Sequence, residues 1–258
     1  MSGIAGWAFL NRTRERQEET FNASPRIASD TQYFREKIGK ITSAEDLVKD
    51  RRLLRVALGA FGLQDEIDKR AFIRQIIEGG TEDDRSLANR LADKRFGAFA
   101  KAFGHLAKDA TTAIAPDLIN TVVSQYRGIQ FEVAVGEQDE TMRLAMTLER
   151  ELPKLQDDYS SERARWFAIL GNPPLRKVFE TALGLPKEFG GIDVNQQFTR
   201  LQDAVNRRFG TRDLAELSEP GKIEEITRRF LVMAQIRETQ ASISSGSIAL
   251  TLLRGGIN

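Results

Sequence analysis

Residues 50–63 read Asp-Arg-Arg-Leu-Leu-Arg-Val-Ala-Leu-Gly-Ala-Phe-Gly-Leu, and part of that string returns at 175–185 as Leu-Arg-Lys-Val-Phe-Glu-Thr-Ala-Leu-Gly-Leu. At a fixed offset Leu53, Val56, Ala60, Gly62 and Leu63 meet the identical Leu175, Val178, Ala182, Gly184 and Leu185, and Arg55 meets Lys177. The apolar positions fall at i, i+3 and i+7 and are closed by Gly-Leu. That is the buried stripe and C-terminal stop of a helix. The repeated signal encodes packing and helix termination, and it predicts an all-α fold with two related halves.

Outward from this string the helical pattern continues. Tyr33, Phe34 and Ile38 run to a stop at Gly39. Thr42 or Ser43 then caps a helix with Glu45 and Asp46 in its first turn, where the helix dipole favours anions. Its inner face is Leu47, Leu54, Leu58 and Phe61, and the reading takes it as one helix to Gly62. Ile67, Phe72, Ile73, Ile76 and Ile77 mark the next helix, and Leu87, Leu91, Phe96, Phe99 and Phe103 another. Pro116 opens what reads as the longest helix, through Leu118, Val122, Tyr126, Ile129 and Val133 and on to Met142, Met146 and Leu152, with Pro153 as a kink or end. Later helices cover 173–185, Asn195–Phe209 and Ile223–Ile236. The expected fold is an all-α multi-helix bundle. Its segments are an N-terminal leader (1–30), a first helical half (31–115), a long linking helix (116–155), a second helical half (156–238) and a low-charge tail helix (239–258).

Composition narrows the function classes. The 258 residues carry 38 basic and 37 acidic side chains, a net charge of +1, so no global field steers nucleic acid or an anionic membrane. Pairs such as Arg51-Arg52 and Arg207-Arg208 sit beside Asp50 and Asp203 and read as paired surface charge. There is no cysteine and one histidine, His105, which excludes disulfides, thiolate catalysis and histidine-cluster metal sites. No cofactor or metal is expected. The glycines form no phosphate-cradling motif and fall at helix ends, and no nucleophile elbow is present. His105 reads as a helix-end residue. The carboxylates of Glu45/Asp46 and of Asp65, Glu66 and Asp68 read as charged helix starts. No enzymatic activity is expected; a helical enzyme would need Asp46, Asp50 and Arg51 to converge in one pocket. The opening Met-Ser-Gly-Ile-Ala-Gly-Trp-Ala-Phe-Leu lacks a basic flank, and its apolar run stops at Asn11. Neither a secretory signal nor a membrane span is expected, and the chain is expected to be made in the cytoplasm.

The tail departs from ordinary core. After Glu238 only Arg254 is charged in twenty residues. Ser247 is read as the cap of a short helix with the stripe Ile248, Leu252 and Leu253, ending at Gly255. So apolar a terminal helix either docks on its own domain or pairs with a partner.

The string Tyr33-Phe34-Arg35 … Ile38-Gly39-Lys40-Ile41-Thr42 … Asp46 through Leu63 resembles the DUF1217 family of bacterial proteins of unknown function. The likeness continues through Ala71-Phe72-Ile73 and Ala88-Asn89-Arg90-Leu91 to Ala100–Gly104, and more loosely to about residue 237. Genes for that family often lie among flagellar genes, and it has no established catalytic residues to carry over. The tail is similar to the C-terminal helix of flagellar axial proteins in its Gln240-Ala241 and Ala249-Leu250-Thr251-Leu252-Leu253-Arg254. In those proteins the helix pairs with an N-terminal one. Here the Trp7–Leu10 segment is shorter than such a partner helix. The resemblances imply a non-enzymatic structural or assembly protein, exported to or docked at the flagellum. Its contact surface would be the tail residues Ile243, Ile248, Leu250, Leu252 and Leu253, and its partner a flagellar protein. The rival expectation is a cytoplasmic adaptor or chaperone for a secreted flagellar subunit.

Overall fold

In the computed structural model the backbone is described for residues 3–107 and 116–255, and the side chains for 3–107 and 117–240. Among the described residues there are fourteen α-helices, four short 3-10 segments and no strand. The fold is therefore all-α. Residues 11–138 form one compact unit, and residues 1–10 with 139–258 form another.

The first eight helices are α1 (Gly3–Asn22), α2 (Pro25–Lys37), α3 (Ala44–Lys49), α4 (Arg51–Gly59), α5 (Arg70–Gly79), α6 (Leu87–Arg90), α7 (Arg95–Ala102) and α8 (Pro116–Gln138). At the centre of residues 11–138 lies α4, which buries Leu53, Leu54, Val56, Ala57 and Leu58 against α2, α3 and α8. Each such buried Leu or Val contributes about 1.5–3 kcal/mol relative to leaving it in water. Phe96, Phe99 and Phe103 are core residues as their spacing implied, and Phe61 meets Phe99 and Phe103 edge-on at 5.6 and 6.3 Å. Phe131 lies inside α8, so the alternating Phe131–Val135 run is helical and not a strand.

The remaining helices are α9 (Glu140–Asp158), α10 (Glu162–Leu170), α11 (Pro173–Ala182), α12 (Val194–Phe209), α13 (Leu214–Leu217) and α14 (Pro220–Gly255). Here α11 takes the central place, packed on α9, α10 and α14, while α10 also meets α12. The packing order is that of the other unit, where α4 meets α2, α3 and α8 and α3 meets α5. The two central helices also start and stop alike. Asp50 accepts from the Arg52 and Leu53 amides, and Asn172 accepts from the Leu175 amide, at 3.0–3.2 Å. Each cap is worth about 1 kcal/mol. At the other end Gly62 and Gly184 take φ of +69° and +66°. This lets Leu63 donate to the Leu58 carbonyl and Leu185 to the Glu180 carbonyl, both at 2.9 Å. That is the Schellman closure.

Several sequence expectations are corrected. The helix read through 43–62 is two, because Asp50 is extended (φ −87°, ψ 95°) and its carboxylate caps α4. The linking helix 116–155 breaks for the same reason. Asp139 (φ −152°, ψ 101°) ends α8 and accepts from the Thr141 and Met142 amides at 2.9 and 3.2 Å. The unit boundary falls at that residue. Pro153 neither ends nor delimits α9, which runs on to Asp158 with Leu152 and Leu155 buried. Burial on both sides outweighs the roughly 3 kcal/mol an interior proline costs. Most of the N-terminal leader is helical. α1 holds twenty residues, and Ile27 and Asp30 of α2 are buried. The separate helices read at Ile223–Ile236 and after Ser247 are one, α14, which ends at the expected Gly255. Gly246 costs about 1 kcal/mol against alanine but does not stop a helix that contains no further proline.

The positive φ at the two stops yields a direct expectation. Gly62→Ala and Gly184→Ala should each lower stability by about 1–2 kcal/mol in denaturant unfolding, because a β-carbon strains that conformation. Equal stability of both variants and the parent would refute the capping account.

Candidate partner-binding surface

In residues 139–258, α14 is fixed by its first half. Ile223, Ile226, Phe230 and Leu231 are buried, and α14 packs on α9, α11 and α13. Its arginines close the C-terminus of α11, where helix carbonyls lack partners. Arg229 donates to the Ala182 carbonyl at 3.2 Å. Arg237 donates to Thr181 Oγ1 at 3.1 Å and to the Glu180 and Leu185 carbonyls at 3.2 and 2.9 Å. Cations at a helix C-terminus also meet the negative end of its dipole. The stop at Gly184-Leu185 and the register of α14 are thus one arrangement.

Around and beyond Arg237 the helix changes character. Val232, Gln235, Ile236, Thr239 and Gln240 line a shallow hollow of about 330 Å³. The start of α1 lies against it, for a β-carbon on Gly3 would stand 3.2 Å from Gln235 Oε1. Next to that contact in sequence, Ile4 and Ile236 are 46% and 43% exposed. Large apolar side chains so open to water, beside a hollow, form a surface suited to another helix. The tail residues Ile243, Ile248, Leu250, Leu252 and Leu253 follow on the same helix; their side chains lie outside the described residues. Sequence reasoning missed the hollow, read Ile4 with Trp7, Ala8 and Leu10 as a short amphipathic segment, and placed Ile236 on the last core helix. Its spacing from Val232 and Thr239 is the one local signal of a further face.

The charged residues weighed as chemistry each have a local structural partner. Ser43 Oγ accepts from the Asp46 amide at 3.1 Å and donates to the Asp46 carboxylate at 2.7 Å. Asp50 caps α4 and accepts from the Tyr33 hydroxyl at 2.8 Å. Arg51 pairs with exposed Asp68 at 2.6 Å. His105 sits in a 3-10 turn beside Phe103, and burial holds its pKa below the ordinary histidine value. Among the described residues no cluster of three or more potential metal ligands occurs, and no helix is long and apolar enough to cross a membrane.

The buried polar centre is Asp30, 4% exposed, which the sequence did not single out. Its carboxylate accepts from Arg52 Nε at 2.8 Å and Arg55 at 3.2 Å, with the Tyr126 hydroxyl at 3.5 Å. Arg52 also donates to Ser29 and lies over the Tyr33 ring. The Tyr126 ring packs on Gly59, where a β-carbon would come within 2.8 Å of it. Two guanidinium partners neutralise the acid, so the cluster ties α2, α4 and α8 together.

The chain is thus an all-helical protein whose described candidate surface is apolar and presented by its last helix. Residues 60–223 match the family described as a protein of unknown function (DUF1217), and the chain belongs to that family. No curated protein matches it. It is similar to a protein from Agrobacterium tumefaciens known from an X-ray crystal structure. The TM-score is 0.75 and the identity 26%, over 91% of this chain and 94% of that one.

Burial and the neighbouring Asp30 carboxylate push the Tyr126 hydroxyl up from 10.0 to about 12. The folded protein then holds a proton that the unfolded chain has lost. That contribution is complete below pH 10 and declines as pH rises toward 12. Thermal melts across this window should fall with pH, and Tyr126→Phe should flatten the decline. An unchanged slope in the variant would refute the assignment.

Proposed function

We propose that the protein is a flagellum-associated, non-enzymatic structural or assembly component that works through helix–helix contacts. The tail stripe Ile243, Ile248, Leu250, Leu252 and Leu253 is its main contact. The observation that carries this reading is the division of α14. Its first half is packed and tied to α11 through Arg237, and after Glu238 the helix continues with a single charge, Arg254. A helix so poor in charge stays soluble by covering its apolar face. The likeness of its Gln240-Ala241 and Leu-Leu close to flagellar axial proteins supplies the kind of partner. The place of Gly3 beside Gln235 also supports it, since N- and C-terminal helices pair in those axial proteins.

An epitope-tagged copy is expected in purified hook–basal bodies, and truncation after Glu238 should remove it from that fraction while circular dichroism shows the remaining helices intact. Recovery only in the cytosol, with flagellar-subunit binding unaffected by the truncation, would overturn this reading in favour of an adaptor or chaperone.

A further inference from the structure

The two units share a packing order but differ in how the stop of the central helix is covered. In residues 11–138, α7 covers it. Arg95 donates to the Gly62 carbonyl at 2.5 Å, Phe99 and Phe103 pack on Phe61, and Phe96 meets Phe72 of α5 at 5.3 Å. Leu63, at the stop, is 2% exposed. In the other unit the stretch from α12 to α14 is Gly210–Glu219. Its one helix, α13, packs on α9, α10 and α14. The place that α7 fills, against α5 and the residues just after α4, is taken by no helix of Gly210–Glu219 in the other unit, where α13 packs chiefly on α9, α10 and α14.

A hollow of about 270 Å³ lies there. Leu185, the counterpart of Leu63, is only half-buried and lines it with Phe189 and Ile192. On the α12 side stand Arg200 and Arg207, seven residues apart and both exposed, with Asp203 between them. Asp203 is taken by Arg212 at 2.7 Å, whereas neither Arg200 nor Arg207 has an ion-pair partner among the described residues. Arg207 also borders a second hollow of about 210 Å³ with Arg208 and Arg229. Glu188 is the one acid on the rim left to offset these cations.

The geometry points to a docking site for an amphipathic helix of a partner protein, with an apolar or aromatic face and carboxylates two turns apart. The apolar face enters the hollow over Leu185, Phe189 and Ile192, in the manner of α7 over the α4 stop. The carboxylates meet Arg200 and Arg207, whose seven-residue spacing places them about 10 Å apart along α12. The site uses none of the tail residues and stands or falls separately from the proposed flagellar role.

The test is fluorescence anisotropy on the full chain with a labelled helical peptide carrying a Phe/Leu stripe and two glutamates seven residues apart. A second peptide has lysines at those positions, and a third has serines in place of the phenylalanines. Saturable binding of the first peptide alone is expected. Arg200→Glu with Arg207→Glu should weaken it about tenfold or more, while Arg228→Glu, on exposed α14 surface, leaves it unchanged. Both substituted arginines are exposed, and matching thermal melts will show that the fold is kept. Failure of the acidic peptide to bind at millimolar concentration, equal binding of the lysine peptide, or indifference to the double substitution would overturn the proposal.

Discussion

Everything else in each unit is arranged around one short helix with both ends locked. α4 and α11 are nine and ten residues long, too short to be stable alone. Their stability comes from burial of nearly every apolar residue and from caps at both termini. Asp50 and Asn172 take amides at one end, and the glycine–leucine closures at Gly62 and Gly184 take carbonyls at the other. With both ends fixed, the helix can be surrounded on several sides by α2, α3 and α8, or by α9, α10 and α14. A frayed end there would leave unpaired backbone groups in the core, at a cost of about 1–3 kcal/mol each.

The two locks are reinforced by different chemistry. Around α4 the reinforcement is a buried ion cluster: Asp30 of α2 grips Arg52 and Arg55 of α4, and Tyr126 of α8 leans on it. Around α11 it is a set of arginine-to-carbonyl bonds, because Arg229 and Arg237 reach from α14 to the helix end. Removing a cluster member strands a buried carboxylate or loosens three helices. Losing an arginine-to-carbonyl bond affects chiefly how the last helix is seated. The second arrangement thus ties the position of α14 to the integrity of the α11 stop.

Much of this was legible in the sequence. The i, i+3, i+7 repeat with its Gly-Leu close located both central helices, and the phenylalanine stripe located α7. What misled was aspartate inside an apolar run. Periodicity carries straight through Asp50 and Asp139, yet each carboxylate competes for backbone amides and begins a new helix. Pro153 misled in the opposite direction, since burial of Leu152 and Leu155 keeps α9 going. The core role of Asp30 was hidden because its partners, Arg52, Arg55 and Tyr126, are distant in sequence. Exposure of Ile4 and Ile236 and the hollow beside Leu185 are also tertiary, and no local period encodes them.

A repeated frame also makes departures from it meaningful. The two units share a central helix with the same kind of stop and a matching order of neighbours, so their stops can be compared directly. One stop is covered by α7, with Phe96 and Phe99 of that helix, Phe103 just after it, and Arg95 on the glycine carbonyl. The other spends its carbonyls on arginines of α14 and leaves Leu185 on the wall of a hollow. Filling that hollow with a short helix would bury Leu185 as Leu63 is buried. This asymmetry is the ground of the proposed docking site, and it falls in the unit that also carries the low-charge last helix.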